Sequence, residues 1–488
     1  MRYVGYVALK RLYDLPDIPH HVVSHIVQAA RRTVDNQEYY PAVYQPENSL
    51  AGHLEFALKY EGVNLAILSA LFQVVDGAEL IAYIQSRPTG IHTRRVWFLY
   101  EFLTGTRLGI PDLQSTCGYV DALGPNEYVT KAGKRLSRYR VRNNLLGTQD
   151  FCPVVRRTEA LQQFSWEALR DAAEAVVRSY DPETVSRAVN YLYTKETRSS
   201  FAIEHETPTA SKMERFGRAL QSVKSYPVLD KQALLDLQSI VLDEKAAATG
   251  YRTEQNYVGE TLGRREVVHF VSPKPEDVPS MMAGLLEFCR DSDEIDPVIA
   301  AAVASFGFVF IHPFDDGNGR IHRYMIHHFL SNHGVTPKGT IFPVSATMVN
   351  NRHEYDACLE SFSRATMPLI EYRMNEDFSL DVLNETADLY RYFDATRMCE
   401  YLYDCVRKTI DNELKEELET LSAFAQARAA LDAAFDLPEK QKNLLLKLCW
   451  QGRGTLSITK RTVHFKEYSD GEMAAMLEVI APFFRPRE

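Results

Sequence analysis

Leu402, Val406, Ile410, Leu414, Leu418 and Leu421 recur three to four residues apart, with Lys415, Glu416, Glu417 and Glu419 among the later ones. That spacing places the apolar set on one stripe of a long amphipathic helix and the charges on its outer face. A second pattern, VIAAAVASFGFVF at 298–310, is small and apolar nearly all round, as suits a helix in the middle of a bundle. Asp296 and Pro297 just before it read as an N-cap and a proline at the first helical position, and Pro279 opens another helix through Phe288. Between helical stretches, GYRTEQNYVGETLGRREVVHFVSPKPEDVP at 250–279 sets β-branched and aromatic residues around the turn-prone Gly259–Gly263 segment. This predicts a β-hairpin among helices.

The same reading makes residues 1–175 a helical N-terminal domain, with Asn64 capping a helix that carries Leu65, Leu68 and Phe72. Residues 176–375 form a helical central domain with the hairpin, and 376–488 a helical C-terminal domain. In the last, helices at Gln441–Cys449 and Gly471–Phe483 flank a β-prone stretch, LSITKRTVHF, which admits a winged-helix-like arrangement. The second of those helices lacks the basic residues that a DNA-reading helix needs. A length of 488 residues suits two or three such units.

Composition changes this picture little. Apolar residues at 45% and charged residues at 25% describe an ordinary globular chain, and the net charge of −10 argues against binding nucleic acid through the overall field. One local exception is KAGKRLSRYRVR at 131–142, where six basic side chains surround Tyr139, with Arg156 and Arg157 following. Such a run can hold a phosphate backbone, but on an acidic chain it reads first as a solvated face or a dock for an acidic protein. The seven cysteines show no CxxC or metal spacing and read as reduced thiols in a cytoplasmic protein. There is no secretory apolar segment and no stretch of membrane-spanning length.

The chemistry concentrates in HPFDDGNGRIHR, 312–323. Pro313 ends the apolar helix and leaves His312 at its terminus. Gly317-Asn318-Gly319 makes a tight turn before the helix RIHRYMIHHFLSNHG, so backbone N–H groups at the turn form an anion cradle. Arg320 and Arg323 are three apart and project from one face of the first turn, where two guanidinium forks suit more than one phosphate. Asp316 is an oxygen ligand of the kind Mg²⁺ shares with polyphosphate, and His312 is suited to accept a hydroxyl proton near neutrality. These parts spell nucleotidyl or phosphoryl transfer to a hydroxyl. His322, His327, His328 and His333 lack carboxylates at metal spacing and read as structural or surface residues.

The loop resembles the Fic family signature HPFx[D/E]GNGRxxR, firmly in the loop and more loosely over 180–375. The resemblance implies a mainly α Fic-fold bundle with a β-hairpin flap, and transfer of AMP from ATP to a Ser, Thr or Tyr hydroxyl of a target protein. It implies His312 as the base, Asp316 on Mg²⁺, and Gly317, Asn318, Gly319, Arg320 and Arg323 on the nucleotide, with Phe314 as the loop's anchor. The 250–272 hairpin resembles the flap on which an extended target segment docks as an added strand. SSFAIEHE at 199–206 resembles the inhibitory motif [S/T]xxxE[G/N], with Ser200 and Glu204 on one helix face and Glu204 set to pair with Arg323 in place of the γ-phosphate. His205 stands where that motif has Gly or Asn. In VNNRHEYDACLESF, Tyr355 fits the family while Asp356 stands where a second aromatic is frequent, at a position tied to base preference. The partners implied are ATP and a protein target, with a homodimer possible and neither a membrane nor nucleic acid expected. Two alternatives stay open: removal of AMP with Glu204 orienting a water, and a DNA-associated regulator using the loop as a nucleotide sensor.

Overall fold

The computed structural model describes residues 1–223, 229–242, 248–262 and 265–484. Its buried apolar side chains gather in three main bodies: one within 6–154 that also takes in Tyr392, a large central one from Val129 to Leu418, and one within 427–484.

The fold is mainly α. The central body holds α1 (Pro182–Ile203), α2 (Ala210–Gln221), α3 (Lys231–Val241), the hairpin strands β1 (Tyr257–Leu262) and β2 (Arg265–Val271), α4 (Val278–Arg290), α5 (Pro297–Ile311), α6 (Asn318–Asn332), α7 (Val344–Asn350), α8 (Arg352–Thr366), a second hairpin of β3 (Tyr372–Met374) and β4 (Leu380–Val382), and α9 (Thr396–Lys408). Helix α5 is its axis: nearly every side chain from Pro297 to Ile311 is buried, as the all-round apolar pattern requires. Asp296 caps it, Oδ1 accepting from the N–H groups of Val298 and Ile299 at 2.9 and 3.2 Å. Strands β1 and β2 pair antiparallel with Tyr257 opposite Val271 and a bulge at Val258/Gly259. The turn of this hairpin, including Gly263, lies outside the described residues.

Two sequence expectations are corrected. The N-terminal region is not purely helical: strands Arg2–Tyr3, Val23–Val27, Gln37–Pro41 and Arg32–Val34 form a four-stranded sheet in that order, and 120–143 adds a small three-stranded one. Its strands are two to five residues long, too short for alternation to stand out beside the helical runs. In the C-terminal region the β-prone LSITKRTVHF contains the helix Ile458–His464, whose N-cap Ser457 accepts from the Lys460 N–H. No strand occurs among the described residues from 439 to 484, so no wing is formed there.

The N-terminal region is sewn to the central body by backbone hydrogen bonds. Cys152 N–H donates to the Arg391 carbonyl at 2.8 Å, Val154 N–H to Phe393 at 3.0 Å, and Ala395 N–H back to Val154 at 2.8 Å. Phe151, wholly buried, enters where α4 and α5 lack side chains: a β-carbon on Gly284 or Gly307 would meet it at 2.8 or 2.5 Å. Three arginines of the basic run are engaged inside this region, while Lys134 and Arg135 are exposed. Arg138 pairs with Glu101 at 2.7 Å and Asp112 at 2.8 Å, Arg140 donates to the Cys117 carbonyl at 2.9 Å, and Arg142 meets Asp121 at 3.2 Å. No single helix among the described residues is long and apolar enough to cross a membrane.

Candidate active site

Helix α5 ends on His312, whose backbone is left-handed at φ 51° and ψ 59°. That conformation is uncommon for a residue with a side chain. It turns the chain out of the bundle into Pro313 and Phe314. The His312 Nδ1 lies 3.2 Å from the Val309 carbonyl, an acceptor only, so the proton sits on Nδ1 and Nε2 carries the free lone pair. Burial pushes His312 down to about 4, with the nearby Arg252 charge acting the same way, and the imidazole is neutral at physiological pH.

The loop that follows is held by Asn318. Its side-chain oxygen accepts from the Phe314 N–H at 3.0 Å and its amide donates to the Phe314 carbonyl at 2.7 Å. Phe314 itself is fully buried against Tyr251 and Phe308. Phe314 is placed as the anchor of the loop, and the Asn318 side chain ties it there. Gly317 adopts φ 88°, a region where glycine is the natural choice, and helix α6 begins after it without a side-chain cap. The first N–H groups of α6 are therefore available to an anion.

The two arginines of α6 are both buried and differently engaged. Arg323 donates Nε to Ser200 Oγ at 2.9 Å, and Nη2 to the Ser200 carbonyl at 2.8 Å and to Glu204 Oε1 at 2.7 Å. Among the described residues its Nη1 has no hydrogen-bond partner, and it lies buried 3.3 Å from where a β-carbon on Gly319 would stand. Such a donor beside an uncapped helix start fits an anionic oxygen. Arg320 does not project free from the loop: Nη1 pairs with Glu206 at 2.7 Å and Nη2 with Asp316 Oδ1 at 2.9 Å. Asp316 Oδ1 also accepts from the Gly317 N–H at 2.6 Å, while its side chain is 66% exposed and Oδ2 stays open to a cation.

Glu204 closes over this loop from the C-terminus of α1. Its Oε1 lies 2.1 Å from the position of a Gly319 β-carbon, so the glycine is what lets the carboxylate approach. Burial works against the charge of Glu204, yet Arg323 and Arg320 outweigh it and hold the carboxyl below its usual value. The helix end explains the Gly or Asn of the resembled motif. The Glu206 N–H donates to the Phe201 carbonyl and the His205 N–H to Ala202, at 3.1 Å each, and His205 has φ 55°. This is a Schellman cap, whose left-handed residue is ordinarily Gly or Asn; here His205 takes the same conformation. Arg352 of α8 braces the cap, donating to the Ile203 carbonyl at 2.9 Å and to Asp356 at 2.8 Å. Tyr355 is buried, with its ring 6.2 Å from His322.

Sequence reasoning missed Arg252, Glu206 and Arg352. None is periodic or in the signature, and each acts on a carbonyl or a charge distant in the chain, for which a sequence carries no local signal. Of the four helix histidines, His322 is buried with Nδ1 2.8 Å from the Ser305 carbonyl, and His327 pairs with buried Glu196 at 2.8 Å. Among the described residues no group of His, Cys, Asp and Glu has the arrangement of a protein-only metal cage.

Residues 228–330 match the Fic/DOC family model. Over 179 residues the chain is 32% identical to protein adenylyltransferase fic-1 of Caenorhabditis elegans, spanning 36% of this chain and 30% of that protein. Over 201 residues it is 25% identical to protein adenylyltransferase Fic of Nematostella vectensis, spanning 35% and 43%. The chain thus spans less than half the length of these relatives. Among solved structures, a Fic family protein from Desulfovibrio desulfuricans G20 aligns with TM-score 0.37 and 19% identity over 65% of this chain and 90% of that one. Fic-1 from C. elegans aligns with TM-score 0.34 and 15% identity over 75% and 92%. The signature loop at 312–323 lies within the segment that matches the Fic/DOC family model.

Proposed function

We propose that the chain is a protein adenylyltransferase that moves AMP from ATP to a Ser, Thr or Tyr hydroxyl, restrained in its resting form by Glu204. The observation that carries this reading is the juxtaposition, within one loop, of a neutral imidazole with a free Nε2 and an uncapped helix start beside Arg323 Nη1, which has no hydrogen-bond partner among the described residues. The cradle N–H groups, Arg320 and Arg323 take the phosphate oxygens. His312 Nε2 accepts the proton of the target hydroxyl as its oxygen bonds to the α-phosphorus, and the bond to the pyrophosphate oxygen breaks. Asp316 is the residue that would hold Mg²⁺, and the ion would supply charge neutralisation to the leaving group.

Glu204 occupies Arg323 Nη2 and lies against Gly319, where a terminal phosphate would compete with it. Strands β1 and β2 are the docking edge for the target segment. Purified protein incubated with labelled ATP and Mg²⁺ tests the reading: Glu204→Gly should raise self-labelling by about 10-fold or more, the weight of one charge-assisted contact. Adding His312→Ala should abolish it. Label that survives the loss of His312 would refute the mechanism.

A further inference from the structure

Arg252 stands in the GYRTEQN segment, between α3 and β1, and is 4% exposed. Its three side-chain donor groups each reach a main-chain carbonyl. Nε donates to His312 at 2.8 Å, Nη1 to Glu254 at 2.8 Å, and Nη2 to Pro273 at 2.5 Å. Its own N–H donates to the Pro313 carbonyl at 2.9 Å. Glu254 leads into β1 and Pro273 follows β2, so a single guanidinium spans both stems of the hairpin and the carbonyl of the residue proposed as base.

The partners are unusual for so buried a cation. Among the described residues no carboxylate pairs with it, and burial pushes it down to about 10. Burying a charge on neutral oxygens is costly unless each hydrogen bond is made. A planar fork spreads its donors over three nitrogens and so reaches well-separated carbonyls, whereas the three N–H groups of a lysine ammonium radiate from one atom. One of the carbonyls gripped belongs to a left-handed residue, a conformation that surrounding contacts must maintain. Neighbouring bonds bind the same stems, with Asn256 Nδ2 donating to the Phe314 carbonyl at 3.3 Å and Gln255 to the Ser272 carbonyl at 2.8 Å.

We infer that Arg252 is a positioning residue: it fixes the flap stems and the left-handed His312 backbone in one frame, so that a hydroxyl presented by the flap meets Nε2. The inference rests on the adenylyltransferase reading. It separates alignment from nucleotide binding, because the phosphate cradle is held by Asn318, Gly317 and Asp316, none of which Arg252 touches.

The test takes full-length Glu204→Gly as parent and adds Arg252→Ala or Arg252→Lys. ATP affinity is read by calorimetry, self-labelling at saturating ATP by label transfer, and folding by thermal melt. Both variants should bind ATP within about 3-fold of the parent. Both should label about 100-fold more slowly, the loss expected from misplacing a reacting group by about 1 Å. Added guanidinium ion should restore much of the rate to Arg252→Ala and none to Arg252→Lys. Labelling within about 3-fold of the parent in either variant, or ATP affinity and labelling falling together, would overturn the assignment. Should Arg252→Ala fail to fold, Arg252→Lys alone decides between these results. A silent parent overturns the enzymatic reading itself and the inference with it, whereas an active parent with unaffected Arg252 variants removes only the inference.

Discussion

At the scale of single residues, His312 and His205 occupy the same uncommon backbone region for different purposes. At His312 the left-handed turn frees Nε2 and burial keeps the ring neutral, with its protonation pushed down to about 4. A base must be unprotonated to act, so labelling by Glu204→Gly should stay level from pH 8 down to about pH 5 and decline only below that. A midpoint near the ordinary imidazole value would show that the ring is solvated during turnover. At His205 the left-handed residue ends the helix that carries Glu204. His205→Gly removes the side-chain penalty there and should stabilise the protein by about 1 kcal/mol, seen as a higher midpoint of denaturant unfolding. It should leave the inhibitory pairing intact, because the hydrogen bonds of the cap come from main-chain groups.

At the scale of elements, the C-terminus of α1 meets the N-terminus of α6 through two ion pairs, Glu204 with Arg323 and Glu206 with Arg320. The resemblance of SSFAIEHE to the inhibitory motif implies the first, with Ser200 and Glu204 on one helix face. It is silent on the second, because Glu206 lies beyond the helix end and reaches Arg320 only once the Schellman turn reverses the chain. Glu206→Gln should therefore release part of the restraint: self-labelling rises, by about 2- to 5-fold, less than for Glu204→Gly, and an unchanged rate would make that pair a purely structural contact. Elements with strong periodicity were legible: α5 with its Asp296 cap, and the long run from Thr396 to Ala434, which forms one path with a π turn at Thr409–Leu414. The short N-terminal strands were not, and LSITKRTVHF shows why propensity misleads. Its β-branched residues are mostly exposed, and the Ser457 cap and packing of Phe465 decide in favour of helix.

At the scale of the whole molecule, the N-terminal region and the central body share Phe151, which fills the gap left by Gly284 and Gly307. Phe151→Ala should cost about 3–5 kcal/mol and lower the melting temperature of both parts together, because its loss opens a cavity at their junction. Independent melting of the two would contradict such a joint. The residues proposed as cradle, base and restraint all lie in 312–323 and 199–206, the two stretches that the family resemblance singles out. What ties them into one device, the reach of Arg252, Glu206 and Arg352 across the fold, depends on three-dimensional packing alone. The central claim is that Glu204 and a triphosphate compete for Arg323. Calorimetric titration of ATP with Mg²⁺ into the unaltered chain and into Glu204→Gly tests it most directly. The account predicts affinity at least about 10-fold tighter once the carboxylate is removed, about 1.4 kcal/mol; equal affinity, or no nucleotide uptake by either protein, would contradict it.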